Sequence, residues 1–228
     1  MIVALIPGYN EAPRIGPVVT AARAHLAVIV VDDGSSDGTA DVARAAGATV
    51  IEQRPNQGKG AALRTGLRRA VADGADAIVT LDADGQHDPA EIAAFLAVWR
   101  DAGAATPDLV IGRRDFGAMP FVRRLSNVLG RRAFSWAVGR DIPDNQSGYR
   151  LVSRRLAEAA LASDERGFAF EVEQITTCIR MGGTIAWVPI QTIYAGAPSH
   201  IRPLVHLREF IRIVRRARRD VRRPLGQR

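Results

Sequence analysis

Three carboxylates follow an apolar run near the middle of the chain. Asp82, Asp84 and Asp88 come directly after the segment 77–81. Asp82 and Asp84 are two positions apart, so an extended backbone would point both side chains to the same side. Two hard oxygen ligands suit Mg²⁺ or Mn²⁺, which keep waters and also bind phosphate oxygens. The segment therefore predicts a divalent cation site; the alternative is a turn in which Gly85 has a positive φ.

Two other polar segments also follow apolar runs. In V-D-D-G-S-S-D-G-T, residues 31–39, Asp33 could accept hydrogen bonds from a nucleobase or a ribose. In P-G-Y-N-E, residues 7–11, Tyr9 could stack on a base and Glu11 could hydrogen-bond to it. The alternatives are a strand-to-helix turn in the first case and a turn with an exposed acid in the second.

The pattern around these segments predicts alternating strands and helices. Short runs rich in Val and Ile predict strands at 2–7, 27–32, 49–52, 77–81 and 108–111. Helices are expected between them at 15–24, 37–46, 59–72 and 89–102. The second half predicts helices at 121–138, 154–162 and 171–181, and strands at 147–153 and 184–194. This order predicts an α/β fold with a mostly parallel sheet flanked by helices, whose ligands bind at the carboxyl ends of the strands.

Length and composition restrict the classes of protein that fit. A chain of 228 residues suits one domain, and 47% hydrophobic residues suffice for a buried core. A single cysteine, Cys178, excludes an internal disulfide and fits a reducing compartment. We see no signal peptide and no stretch of about 18 to 20 apolar residues that could span a bilayer. We expect a protein that is either free in the cytoplasm or peripheral on the inner face of the cell membrane.

The net charge of +7 comes from the last residues of the chain. Residues 201–228 carry +8, whereas the first 200 residues carry −1. An amphipathic basic helix is predicted here, with arginines on one side and an apolar stripe on the other formed by Leu207, Phe210, Ile211, Val214, Ala217 and Val221. We expect a domain at 1–200 and a basic tail at 201–228 that contacts an anionic membrane through residues 204–223. The alternative is that the apolar stripe packs against the domain itself.

Several motifs, taken in order, resemble the family 2 glycosyltransferases with the GT-A fold. The similarity is strongest to the branch of dolichyl- and polyprenyl-phosphate mannose or glucose synthases, and it covers roughly residues 2–205. The three segments above match, the one that contains Asp82 and Asp84 as L-D-A-D-G-Q-H-D-P at 81–89, and together they are far more specific than any one of them. The others are N-Q-G-K-G-A-A at 56–62, I-G-R-R at 111–114, D-N-Q-S-G-Y-R at 144–150, G-F-A-F-E-V-E at 167–173 and S-H-I-R-P at 199–203.

The resemblance implies a role for each residue at a matching position. The nucleoside pocket would be lined by Pro7, Tyr9, Glu11 and Asp33. The metal, Mg²⁺ or Mn²⁺, would be held by Asp82, Asp84 and Gln86, with Asp84 also taking part in catalysis. The donor diphosphate, the sugar or the acceptor phosphate would be contacted by Arg113, Arg123, Arg202, Asp144, Gln146 and Ser147, of which Arg113 and Asp144 would be catalytic. Arg114 and Arg124 are expected to be solvated surface residues, and His200 stays open.

The same resemblance implies an inverting, metal-dependent transfer of a hexose from a GDP- or UDP-linked donor to a polyprenyl phosphate. A hydroxyl acceptor would need a general base, whereas a phosphate monoester is already an anion near neutral pH. The sequence has no clean copy of the acidic T/E-E-D-like motif that many hydroxyl-using relatives carry. Lipid phosphate is therefore favoured, although Asp144 leaves a saccharide or other hydroxyl acceptor as the alternative.

Three other classes of protein fit the sequence less well. A nucleotidyltransferase that makes activated sugars usually has a glycine-rich, basic loop after its first strand, whereas residues 8–11 contain one glycine and an acid. A nicotinamide dehydrogenase would need a G-x-G-x-x-G segment after a strand. A nucleic-acid-binding protein would explain the basic tail but not the acidic strand ends, which repel phosphate in the absence of a metal. We therefore expect no nucleic-acid partner.

Overall fold

The computed structural model describes residues 1–115, 121–191, 193 and 203–222, with side chains from residue 128 in the fifth helix and from residue 211 in the last. The strands are Ile2–Gly8 (β1), Ala27–Asp32 (β2), Thr49–Glu52 (β3), Ala77–Thr80 (β4), Leu109–Arg114 (β5), Arg150–Ser153 (β6) and Ile185–Ile190 (β7). The α-helices are Ala12–Arg23 (α1), Thr39–Ala45 (α2), Lys59–Ala72 (α3), Ile92–Asp101 (α4), Phe121–Val138 (α5), Arg154–Ala160 (α6), Ala169–Arg180 (α7) and Pro203–Arg222 (α8).

The predicted elements are confirmed, with differences at their ends. Helix α1 begins at Ala12 rather than residue 15, because Pro13 fits a first helical turn, where no backbone N–H donor is needed. Strand β6 begins at Arg150, so the predicted strand residues 147–149 belong to the preceding loop. Asp88 accepts a hydrogen bond from the Ala90 N–H and starts a short 3₁₀ turn before α4.

The seven strands form one sheet in the order β3-β2-β1-β4-β6-β5-β7. Strands β3, β2, β1 and β4 are parallel to one another, and β5 and β7 pair in parallel. Strand β6 runs antiparallel between β4 and β5. The predicted mostly parallel sheet is therefore confirmed, with one antiparallel strand in its middle.

Both faces of the sheet are covered, as expected for parallel strands. Successive β1 side chains belong to different cores: Val3 and Leu5 pack with residues of α3, α6 and α7, whereas Ala4 and Ile6 pack with residues of α1 and α4. This alternation follows from the two-residue repeat of a strand. Strand β1 is thereby fixed in the centre of the molecule, and so is the loop that follows it.

The carboxyl ends of β1, β2 and β4 lie at one edge of the sheet. Gly8 is paired with Asp32 in register, and the Asp33 N–H donates to the Gly8 carbonyl at 2.8 Å. A methyl group added at Gly8 would lie 3.2 Å from the Ile15 side chain and 3.8 Å from that of Ala83. A larger residue would therefore crowd Ile15, and the small glycine lets the loops after β1 and β4 lie close together.

Helix α8 packs on α5 and α7. Ala217 is buried in the core between them, and Ile213 and Val221 pack against the same core. On the α7 side, the Arg216 guanidinium lies 2.5 Å from a Glu173 carboxylate oxygen. For Ala217 and Val221 the expected membrane-facing stripe is wrong, because these side chains cover apolar surface of α5 and α7 that would otherwise be exposed. No helix in the described ranges is both long enough and apolar enough to cross a membrane.

Candidate active site

One cavity of about 310 Å³ lies at the edge where β1, β2 and β4 end. Six residues proposed from the sequence line it: Pro7, Tyr9, Glu11, Asp33, Asp82 and Asp84. The first turn of α3 and the loop before it close another part of the cavity through Asn56, Gly58, Lys59 and Ala62, and Phe168 also lines it. The structure thus gathers the three polar segments around a single space.

The loop after β1 is fixed by hydrogen bonds to the loop after β2. Asn10 has a φ of 54°, a conformation that asparagine tolerates better than most residues. Its N–H donates to Ser35 Oγ at 2.9 Å, and its side-chain oxygen accepts from the Ser36 N–H at 3.0 Å. The Glu11 N–H donates to Thr39 Oγ1 at 2.8 Å. Tyr9, which is 51% exposed, therefore projects from a rigid loop into the cavity mouth.

Asp33 organises the segment on the opposite side of the cavity. Its carboxylate accepts hydrogen bonds from the Gln57 N–H at 2.8 Å, from the Gly58 N–H at 2.7 Å and from the Gln53 side-chain amide. The residue is 3% exposed. Asp33 therefore holds the start of α3 in place, and a ligand would have to share an oxygen that already accepts from the protein.

Asp82 lies in a cluster of charged side chains. Its Oδ1 is 2.6 Å from Lys59 Nζ, which is also 3.1 Å from Glu171 Oε1. The Asp82 N–H donates to His87 Nδ1 at 3.2 Å, so His87 fixes the backbone at this position. Burial would raise the pKa of Asp82, but the charges of Lys59, His87 and Arg114 and the hydrogen bond from Lys59 together outweigh it, so the pKa is lowered. Burial lowers the pKa of His87, which suits a neutral ring that accepts at Nδ1.

Asp84 lies in a turn rather than in the extended segment that the sequence predicted. Gly85 has a φ of 75°, and the Gln86 N–H donates to Asp84 Oδ1 at 2.9 Å. The alternative of a turn with a positive φ at Gly85 is thus correct for the backbone, and the carboxylates of Asp82 and Asp84 both line the cavity. Within the described ranges no group of three or more His, Cys, Asp or Glu side chains could hold a metal. A cation bound to Asp82 and Asp84 would therefore need oxygens from water or from a ligand.

Asp144 is held by Arg114. Arg114 Nε and Nη2 donate to the two carboxylate oxygens of Asp144 at 2.7 and 2.9 Å. The N–H groups of Gln146 and Ser147 donate to Asp144 Oδ1 at 3.0 and 3.2 Å. The expectation that Arg114 is a solvated surface residue is therefore wrong. Neighbouring side chains of a strand point to opposite faces. Arg113, which the sequence analysis proposed as a catalytic residue, is therefore on the other face from Arg114, and it is exposed.

Arg150 fixes the loop that contains Asp144, Gln146 and Ser147. Its side chain is fully buried, and it donates to the carbonyl oxygens of Ser147 at 2.7 Å and of Glu171. The loop is thereby tied to the first turn of α7, which carries Glu171. Gln146 itself is exposed, and Ser147 is buried.

Other proposed residues lie outside the part of the chain whose side chains the structure describes. These are Arg123, Arg124, His200 and Arg202. Their suggested roles stay predictions.

Sequence reasoning assigned no role to Lys59 or Phe168, although both lie in motifs noted above, N-Q-G-K-G and G-F-A-F-E. A signal for Lys59 was present: it is the only lysine in the chain.

A family model described as Glycosyl transferase family 2 matches residues 3–161 of the chain. The chain is 30% identical over 207 residues to the undecaprenyl-phosphate mannosyltransferase of Micrococcus luteus. The matched region covers 83% of this chain and 82% of that protein. It is 32% identical over 222 residues to the UDP-N-acetylglucosamine–dolichyl-phosphate N-acetylglucosaminyltransferase of Methanococcus voltae, covering 85% and 86% respectively.

A solved structure shares the fold. It is the glucosyl-3-phosphoglycerate synthase of Mycobacterium tuberculosis in complex with Mn²⁺, uridine diphosphate and phosphoglyceric acid. The TM-score is 0.71 at 23% identity, and the match covers 99% of this chain and 80% of that one.

Proposed function

Since this chain belongs to the family 2 glycosyltransferases, we propose that it moves a hexose from a GDP- or UDP-linked donor to a polyprenyl phosphate, with inversion at the anomeric carbon. The observation that carries the donor assignment is the shared cavity. It joins the polar loops after β1 and β2, suited to a nucleoside, with the carboxylates of Asp82 and Asp84, suited to a cation. The complex of the mycobacterial synthase with Mn²⁺ and uridine diphosphate supports this arrangement.

A divalent cation, Mg²⁺ or Mn²⁺, fits the chemistry of the donor set. Asp82 and Asp84 supply carboxylate oxygens, and Gln86 adjoins them in the same turn. When bound, such a cation neutralises the charge that develops on a diphosphate leaving group. His87 and Lys59 keep Asp82 in place through its backbone and its side chain.

The engagement of Asp144 supports a phosphate acceptor. A hydroxyl acceptor would need a base to take its proton. Asp144 was the candidate left open by the sequence, but both of its oxygens already accept hydrogen bonds from Arg114. A phosphate monoester is already an anion and needs no base. The printed names of the relatives from Micrococcus luteus and Methanococcus voltae, both lipid-phosphate enzymes, favour the same acceptor.

A polyprenyl phosphate is embedded in a membrane, so we also propose a membrane-contacting surface. We define it as the α5–α8 face, made of Leu129 and Trp136 on α5 with Ile211 and Arg218 on α8. Leu129, Trp136 and Ile211 are 57%, 63% and 41% exposed. The Arg218 guanidinium carbon lies 3.7 Å from the centroid of the Trp136 ring. Exposed apolar side chains next to arginine suit the headgroup region of an anionic bilayer. Of the apolar stripe expected from the sequence, this face contains Ile211, whereas the side chains of Leu207 and Phe210 lie outside the described residues. The division at residue 200 stays a prediction.

The proposal is tested by a transfer assay with radiolabelled GDP- and UDP-sugars. Each donor is offered with undecaprenyl phosphate in detergent or with free saccharides, with Mn²⁺ or with a chelator. We expect label in the lipid fraction only with metal, and only with one nucleotide class. The α or β configuration of the product reports inversion. Transfer to saccharides but not to lipid phosphate would instead establish the hydroxyl-acceptor alternative.

A further inference from the structure

Lys59 is chemically exceptional in this chain. Of 31 basic residues it is the only lysine, and the other 30 are arginines. Its ammonium lies 2.6 Å from Asp82 and 3.1 Å from Glu171, and 5.5 Å from the centroid of the Phe168 ring. Its side chain is only 19% exposed. A cation at the wall of the proposed metal site thus differs in type from every other basic side chain.

The surroundings of Lys59 explain why arginine does not occupy this position. A methyl group added to Gly148 would lie 3.0 Å from Lys59 Nζ, 3.0 Å from Asp82 Oδ2 and 2.8 Å from Glu171 Oε1. The backbone at Gly148 therefore lies close to all three charged groups and leaves no room for a side chain there. A guanidinium is a wide, planar fork, whereas an ammonium is a compact point charge with three rotatable donors. The smaller group suits the short distances to the two carboxylates and this backbone.

An ammonium in this place competes with a divalent cation for Asp82. Both are positive, and in a partly buried site they repel each other strongly. A cation that arrives alone must therefore displace Lys59 from Asp82 or bind beside it. A nucleotide diphosphate brings negative charge that offsets this repulsion. Glu171 Oε1 is already 3.1 Å from Lys59 Nζ, so the ion pair with Glu171 can hold the ammonium when Asp82 binds a metal instead.

We propose that Lys59 makes the binding of the divalent cation depend on the binding of the donor diphosphate. Without ligands, Lys59 neutralises Asp82. With both ligands bound, it stays on Glu171 and faces the diphosphate. Because such coupling is reciprocal, each ligand tightens the binding of the other by the same factor. Lys59 acts here as a positioning residue, and the inference rests on the proposed nucleotide-sugar site.

The test measures Mn²⁺ binding by the electron paramagnetic resonance signal of free Mn²⁺, with and without GDP or UDP. Lys59→Met keeps the length of the side chain and removes its charge. We expect it to bind Mn²⁺ alone at least about fivefold more tightly than the wild type, since couplings between sites are typically about 5- to 150-fold. The gain that nucleotide gives should shrink by the same factor, and the remainder comes from phosphate oxygens that bind the metal directly. Arg69→Met is the matched control, because it removes a cation from the same helix at an exposed ion pair with Asp73.

A second measurement needs no variant. Protein labelled with ¹⁵N-lysine gives a single Nζ resonance, because the chain has one lysine. We expect Mg²⁺ and nucleotide together to shift this resonance more than the sum of their separate effects.

Several results would overturn the inference. They are an unchanged nucleotide effect on Mn²⁺ binding in Lys59→Met, a weaker affinity of that variant for Mn²⁺ alone, or strictly additive shifts of the lysine resonance. If the wild type bound neither nucleotide in the presence of Mn²⁺, the proposed function itself would fail. Wild-type coupling that survives in Lys59→Met would remove only the role of Lys59.

Discussion

Arg114 and Asp144 form a paired, two-point contact, with Arg114 Nε 2.7 Å and Nη2 2.9 Å from the two carboxylate oxygens. Asp144 is 2% exposed. Such parallel hydrogen bonds between a guanidinium and a carboxylate fix both groups in orientation. The pair connects the end of β5 to the loop before β6, so it sets the shape of the polar edge beside Asp82. We interpret Asp144 as a positioning residue for Arg114.

Asp144→Asn should weaken the fold and the activity together. We expect a loss of about 3 kcal/mol in the free energy of unfolding, the lower end for removing one partner of a buried ion pair. Urea denaturation measures this loss. The transfer kcat/KM should fall at least about tenfold, equivalent to about 1.4 kcal/mol.

The pH profile of Asp144→Asn separates positioning from base catalysis. A general base gives the profile an ascending limb, and replacing the base removes that limb. We expect the profile of Asp144→Asn to keep the shape of the wild-type profile at a lower rate. Loss of the ascending limb would identify Asp144 as the base and favour a hydroxyl acceptor.

Gly148→Ala should impair ligand binding without unfolding the protein. The new methyl group would lie 2.8 Å from Glu171 Oε1 and 3.0 Å from Asp82 Oδ2, closer than such atoms approach. The φ of Gly148 is outside the left-handed region, so the effect comes from crowding alone. We expect weaker nucleotide binding in the presence of Mn²⁺, measured by calorimetry. Gly167→Ala is the control, since its added methyl would meet only Glu165 Oε1, at 3.6 Å.

Local sequence pattern was enough to predict the sheet and the segments at its edge. Each strand is a short apolar run, and polar residues follow it directly. The sequence pattern therefore places four acidic residues at one edge of the sheet: Glu11, Asp33, Asp82 and Asp84. The position of each of these residues depends only on where the strand before it ends, which is a local feature of the sequence.

Contacts between distant segments could not be predicted in the same way. Alternation along β5 says that Arg113 and Arg114 point to opposite faces, but it does not say which face meets Asp144. That choice depends on the antiparallel pairing of β5 with β6. The contact of Lys59 with Glu171 likewise depends on how α3 packs against α7.

Replacing the buried Arg150 by methionine should lower the free energy of unfolding more than the same replacement of an exposed arginine. The substitution removes the buried donor that the carbonyl oxygens of Ser147 and Asn145 and the side-chain oxygen of Gln174 share, and a second donor to the Glu171 carbonyl. Each buried polar group left unsatisfied costs about 1–3 kcal/mol, so we expect a loss of about 3 kcal/mol or more in urea denaturation. Arg69→Met, at an exposed ion pair, should change stability by less than about 1 kcal/mol. Equal effects of the two variants would contradict the structural role of Arg150.

Ala217→Asp tests whether α8 belongs to the fold. Ala217 is 3% exposed between α5 and α7, so an aspartate there would be buried among apolar groups. We expect the free energy of unfolding to fall by about 3 kcal/mol, as for other unpaired buried charges. Ile211→Asp, at a position that is 41% exposed on the same helix, should change it by no more than about 0.5 kcal/mol. An unchanged unfolding midpoint in Ala217→Asp would mean that α8 is a separable tail.

The α5–α8 face is tested by combining Leu129→Ser with Trp136→Ser. These residues are seven positions apart on α5 and therefore share one side of the helix. Both are more than half exposed, so the thermal unfolding midpoint should stay close to that of the wild type. We expect the wild-type protein to sediment with vesicles that contain anionic lipid and the double variant to stay largely in the supernatant. Added salt should weaken wild-type binding, since it screens the arginines. Equal sedimentation of both proteins, or equal binding to purely zwitterionic vesicles, would show that membrane contact is made elsewhere on the molecule.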